Sequence, residues 1–331
     1  MDTDTTLNEL IAFLNRQPGS RPKAIAEGLG VSRQYVQKLL ADNKKKFTVT
    51  GLGPNRFYRN ATLPHESTDS FDSRTASSNL SAKDRQLIED NFYSLTPLGE
   101  ELTGVQGLAK WSQARNFDIK VKQNEYLAVL RKYYPPGFKS PIDFTNKVKR
   151  TLNEIALEKV WAIDYYNFEI FGKTKLGTQV LVAKQTGDMQ TTRALINKLA
   201  TVTDDIVSKY KIQAVAFVSP TIQRQSQLMT RLEGSVALKT PRIKVHKVGA
   251  RILIAQKTLK SLADRVLNAA QTFVVESPDQ YENILIIDDA LGSGATLNEM
   301  AKQIKQKRIA RQCYGLVLVS SPSGYEVINE V

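Results

Sequence analysis

Apolar positions in the first sixty residues follow a helical period and then switch to alternation. Leu7, Leu10, Ile11 and Leu14 share one face of a helix over residues 5–16. Pro22 suits the first turn of a second helix, which Gly30 can end. Ser32 stands where an N-cap belongs, and a third helix runs to about Asp42 with Val36, Leu39 and Leu40 inward. Ala26, Gly30 and Val36 supply the small contact, tight turn and apolar anchor of a helix-turn-helix. The stretch "KKKFTVTGLGPNRFYRN" then alternates like two short strands around Gly51, Gly53, Pro54 and Asn55, which predicts a wing. Residues 1–60 are therefore expected to form a winged helix-turn-helix.

The pattern lapses over residues 61–80, where Ser, Thr and Asp dominate, as in a linker. Residues 81–159 read as mainly helical, with breaks at "YPPG". From residue 160 the period changes again. The runs "TQVLVAK", "QAVAFVSP", "RIKVHKV", "NILIIDD" and "YGLVLVSS" read as strands. Helical stretches at 191–209, 223–232, 259–270 and 296–307 separate several of them. Strands apolar on both faces imply a parallel sheet covered on both sides. The fold class is α/β, with a carboxy-terminal parallel-sheet domain over 160–331 behind the winged helix and the helical middle region.

Charge gives the helical part a candidate role. The 331-residue chain carries a formal net charge of +13, which favours polyanionic partners. Between residues 20 and 60 there are nine Lys and Arg against two Asp and Glu. Arg33, Gln34, Tyr35, Gln37 and Lys38 lie on the outward side of the third helix and can donate to base edges or phosphates. Lys44, Lys45, Lys46, Arg56 and Arg59 flank or belong to the expected hairpin. Nucleic-acid contact and a protein dock with a solvated basic face both fit this pattern. The basic residues of the middle region leave the same two readings open.

Other classes are excluded. One cysteine, Cys313, and two histidines, His65 and His246, provide neither a disulfide framework nor a zinc cluster. No apolar run approaches the ~20 residues of a membrane span. The chain is expected to be soluble and cytoplasmic, with no membrane partner.

The second candidate site lies in "ILIIDDALGSGATLNEM". Asp288 and Asp289 fall where a buried strand reaches solvent and can accept hydrogen bonds from a sugar diol. Gly292, Ser293, Gly294, Ala295 and Thr296 then form a small-residue loop ahead of a helix amino terminus, an arrangement suited to phosphate. Carboxylates that merely cap the next turn are the alternative. The spacing is neither a Walker loop nor a dinucleotide fingerprint.

The order of apolar strand, acidic pair and "GSGAT" loop resembles the phosphoribosyl-pyrophosphate signature of type I phosphoribosyltransferases. Ala290 and Gly292 stand where bulkier residues are usual. "FGKTKLGTQVLVAKQTGD", "VSPTIQRQSQLM" and "QKTLKSLADRVLN" are similar to the ComF-like branch, so the resemblance spans about residues 160–331. It implies that Asp288 and Asp289 hold the ribose hydroxyls and that residues 292–296 hold the 5-phosphate. Ser219, Thr221 and Arg224 would approach the pyrophosphate, Lys257 or Arg265 would neutralise it as it leaves, and Mg²⁺ would bridge it to the ribose, without direct protein ligands. A glycosyl-transferring enzyme and a domain that binds without turnover are both compatible with these residues.

The order of winged helix, basic helices and ComF-like domain, with "YSLTPLGEELTGVQGLAKW" between, resembles the accessory effector proteins of type III retrons. That implies an antiphage effector, toxic when released, with an RNA–DNA hybrid molecule and a reverse transcriptase as partners. The alternative is a DNA-binding transcriptional regulator that senses phosphoribosyl pyrophosphate.

Overall fold

The computed structural model describes residues 3–17, 20–50, 57–61, 80–96, 99–138, 140–219, 227–247 and 261–322. The chain divides into two compact units, Met1–Pro135 and Pro136–Val331.

In the first unit, α1 (Thr3–Arg16), α2 (Pro22–Leu29) and α3 (Arg33–Asp42) precede two strands, β1 (Phe47–Thr50) and β2 (Phe57–Asn60). The strands pair antiparallel, from Phe47 opposite Asn60 to Thr50 opposite Phe57. Pro22 opens α2, and Gly30 closes it at φ 64°, a left-handed conformation that costs glycine least. Ser32 caps α3 by accepting from the Tyr35 N–H at 3.2 Å. Leu10, Leu14, Ile25, Val36, Leu39, Leu40 and Phe47 close one core.

A second group of elements follows: α4 (Ala82–Asn91), β3 (Tyr93–Leu95), β4 (Glu101–Thr103), α5 (Gly104–Gln113) and α6 (Ile119–Tyr133). The expected helical middle thus also contains a short antiparallel hairpin, β3 with β4. The Phe92 ring meets those of Trp111 and Tyr126 edge-on, with centroids 6.2 and 5.4 Å apart.

The second unit begins earlier than the change of period near residue 160, because β5 (Ile142–Asp143) and α7 (Thr145–Thr151) belong to it. Then come β6 (Lys159–Tyr165), β7 (Asn167–Phe168), β8 (Gly172–Lys173), α8 (Lys175–Thr186), α9 (Met189–Tyr210), β9 (Ala214–Phe217) and α10 (Leu228–Ser235). The chain continues with β10 (Lys244–Lys247), α11 (Leu262–Thr272), β11 (Phe273–Glu276), β12 (Tyr281–Leu291), α12 (Ala295–Gln306) and β13 (Ala310–Ser320). A five-stranded sheet has the order β5-β6-β13-β12-β9. β6, β13, β12 and β9 run parallel, and β5 runs antiparallel at the edge.

Two strand expectations are corrected. "TQVLVAK" lies inside α8: Thr174 caps the helix by accepting from the Gly177 N–H at 2.9 Å, and Gly187 ends it at φ 67°. A short apolar run suggested a strand, whereas Leu176, Val180 and Ala183 are buried at helical spacing. The first parallel strand is instead β6, absent from the expected set. "RIKVHKV" contributes β10, which pairs antiparallel with β11 outside the main sheet. Its alternating Lys244, Val245, His246 and Lys247 suit such a ribbon better than a strand buried on both faces.

The main sheet is covered on both sides. Ile284 and Ile286 of β12 pack with residues of α7 and α12, while Leu285 and Ile287 pack with residues of α8, α9 and α10. Burial of Leu297, Met300 and Ile304 fixes α12 to the sheet and contributes roughly 1.5–3 kcal/mol per side chain. Among the described residues no helix is long and apolar enough to cross a membrane.

Candidate functional site at the carboxyl edge of the sheet

β12 is fully buried from Ile284 to Ile287 and becomes partly exposed at Asp288. Successive strand residues point to opposite faces, so the two carboxylates diverge. Asp289 meets Lys184 of α8, with Nζ 2.7 Å from Oδ1 and the two side chains 18% and 20% exposed. Asp288 Oδ1 accepts from the Asp289 N–H at 2.7 Å. Burial, and next the charge of Asp289, push the Asp288 carboxyl up to about 7, against the pull of that hydrogen bond and of Lys184. Near neutrality Asp288 can therefore exchange between donor and acceptor.

Beyond Leu291 the chain turns into α12. Ser293 is buried, and its Oγ accepts from the Ala295 N–H at 3.3 Å. Gly294 occupies the N-cap position at φ 81°, where a side chain would be strained. A Cβ there would also come within 3.0 Å of Val148 Cγ1 on α7. Gly294 has no side chain to cap this helix end, so apart from the Ala295 N–H taken by Ser293 the first-turn dipoles are left for an anion. Gly292 and Thr296 are partly exposed on the same turn.

β9 neighbours β12 in parallel register, so Ser219 emerges at the same edge. The Val218 N–H donates to the Ile287 carbonyl at 2.9 Å, and Ser219 Oγ donates to the Val245 carbonyl at 2.9 Å. The structure thus gathers Asp288, Asp289, residues 292–296 and Ser219. Arg265 lies on α11, whose Leu262 and Val266 pack on the α12 side of the core. Lys257, Thr221 and Arg224 fall outside the described residues.

Two lysines belong to this edge although the sequence pattern did not single them out. Lys184 was hidden by the strand reading; on a helix it follows Leu176 and Val180 at steps of four, at the end of the buried face. Lys147, grouped above with the basic middle region, lies on α7 and donates to the Ser321 carbonyl at 2.8 Å. Cys313 is buried in the core, where desolvation pushes its thiol up to about 12. It is no nucleophile.

No protein-family model matches the chain, and no curated protein does. Among the described residues no group of three or more His, Cys, Asp and Glu side chains could hold a metal ion.

In the first unit, Arg33, Gln34, Gln37 and Lys38 on α3 are exposed, and Tyr35 is half-buried. Lys44, Lys45 and Lys46 form an exposed single turn before β1. Arg59 is committed elsewhere, since its Nη1 donates to Asn116 Oδ1 at 2.5 Å. Arg56 lies outside the described residues.

Proposed function

We propose that the second unit binds a phosphorylated ribose at the carboxyl edge of its sheet, and that the first unit is a winged helix-turn-helix that contacts nucleic acid through α3. The observation that carries the first part is that Asp288, Asp289, Ser219 and the start of α12 all lie at the carboxyl edge of the adjacent parallel strands β12 and β9. Ligands of open α/β sheets sit beyond such strand ends. The carboxylates would receive the ribose hydroxyls, and the amides of residues 292–296 the 5-phosphate, as the phosphoribosyltransferase resemblance implies.

Mg²⁺ fits this edge only as an ion carried in by a diphosphate. Lys184 already engages Asp289, so Asp288 and the remaining Asp289 oxygen would reach such an ion through water, its other ligands coming from the phosphates. What the ion supplies when bound is neutralisation of diphosphate charge.

In the whole chain, the reading is a retron-type effector in antiphage defence. Nucleic acid, with a reverse transcriptase as its protein partner, would restrain a unit that acts on nucleotides. The test is calorimetry of the full chain with phosphoribosyl pyrophosphate and Mg²⁺, comparing wild type with Asp288→Asn/Asp289→Asn. Saturable binding lost in the double variant is expected. Equal binding by both proteins contradicts the site.

A further inference from the structure

The loop from Leu291 to Leu297 contains no cation, yet one stands beside it. Lys147 Nζ donates to the Ser321 carbonyl at 2.8 Å and lies 3.4 Å from Ser320 Oγ. Ser320 pairs in register with Leu291, and its Oγ lies 3.4 Å from the Leu291 carbonyl. The ammonium group therefore stands at the strand ends from which the loop emerges. The next residue on α7, Val148, abuts Gly294, so this helix forms a wall of the crevice.

The electrostatics of Lys147 differ from those of its neighbours. In the same unit Lys159, Lys302 and Lys305 each pair with a carboxylate, at 3.3 Å to Asp143, 3.1 Å to Glu299 and 2.9 Å to Glu158. Lys147 is half-buried, and among the described residues no carboxylate pairs with it. Its contacts are two neutral oxygens and the Phe144 ring, whose centroid is 5.4 Å away. An ammonium has three protons to donate, and one remains. Burial lowers its pKa to about 8. A cation held in this way without a counter-ion is costly to keep, and an arriving anion would relieve that cost.

We propose that Lys147 is a phosphate-binding residue, the cation that α7 adds to the amide loop of residues 292–296. The identity of the ligand rests on the ribose-phosphate reading above; its charge does not. Lys147 would donate its remaining proton to a phosphoryl oxygen seated at the start of α12, as a charge-assisted bond.

The test is calorimetric titration of the full chain with inorganic phosphate, ribose 5-phosphate and ribose, for wild type, Lys147→Met and Lys147→Arg. Methionine keeps the apolar stem over Phe144, and melting temperatures report whether α7 stays in place. The expected result is a loss of about 10-fold or more for both phosphate probes in Lys147→Met, with Lys147→Arg near wild type. If Lys147→Met melts earlier but binds phosphate like wild type, the lysine only ties α7 to β13 and the proposal falls. If phosphate binding depends on Lys147 but ribose 5-phosphate gains nothing over phosphate, the ribose reading falls and the phosphate role stands. If wild type binds neither phosphate probe, both fall.

Discussion

The two candidate sites use lysine and arginine in opposite ways. On α3 and the turn after it, Arg33, Lys38 and Lys44–Lys46 are exposed and take part in no ion pair among the described residues. In the second unit, Lys184 is mostly buried against Asp289 and Lys147 is half-buried against backbone oxygen. An exposed array attracts any polyanion through long-range field and counterion release. A buried ammonium acts at one place, on one group, and is screened far less. On the proposed function the chain has two anion sites with different rules, and each rule can be broken separately.

The largest expected difference is in salt dependence. With about five phosphate contacts, duplex binding by the first unit should weaken roughly 10²–10³-fold between 50 and 200 mM salt. Ribose 5-phosphate binding should change several-fold at most over the same range, and equal slopes in parallel titrations would erase the distinction. Next in size is Lys184→Met, which leaves Asp289 without its partner. It should cost about 2 kcal/mol of stability, read by denaturant unfolding; adding Asp289→Asn should recover much of that loss.

An effect of at least comparable size concerns Asp288. Its carboxyl is raised from 3.8 to about 7 in the folded chain, so the folded state holds a proton that the unfolded state releases. Stability from this group is therefore present at pH 4 and is lost as pH rises through 7. The melting temperature of Asp288→Asn should gain on wild type between pH 4 and pH 8, and a constant difference would contradict the assignment. The smallest effect is expected from Ser32→Ala, which removes the α3 cap at a cost of about 1 kcal/mol. Duplex affinity should fall modestly with ribose 5-phosphate affinity untouched.

Local rules explain why α1 to α3 were legible; the expected wing turn, residues 51–56, lies outside the described residues. Pro22, Gly30 and Ser32 each act on their own turn, and the helix bounds follow. The acidic strand and its loop were legible for the same reason: four buried apolar residues, a break in burial, and a glycine with positive φ lie in one continuous stretch. What the pattern missed depends on distant neighbours. α8 was read as a strand because four consecutive apolar residues, Val180–Ala183, outweighed its caps. Lys147 was assigned to a basic surface because nothing near it in sequence shows that Ser320 and Ser321, more than 170 residues later, come to its ammonium group. The segment of β10 was expected within the main sheet, yet only its start bridges β9, Arg242 beside Val215, while β10 itself pairs with β11, since pairing partners are not encoded in a single strand.

If the proposed function holds, the chain has two separable anion sites. One matrix tests it most directly: affinities for a duplex oligonucleotide and for ribose 5-phosphate, each measured in wild type, Arg33→Ala/Lys38→Ala and Asp288→Asn/Asp289→Asn. The first double variant is expected to lose only the duplex, and the second only the sugar phosphate. A variant that loses both ligands, or a pair of variants that loses neither, would contradict it.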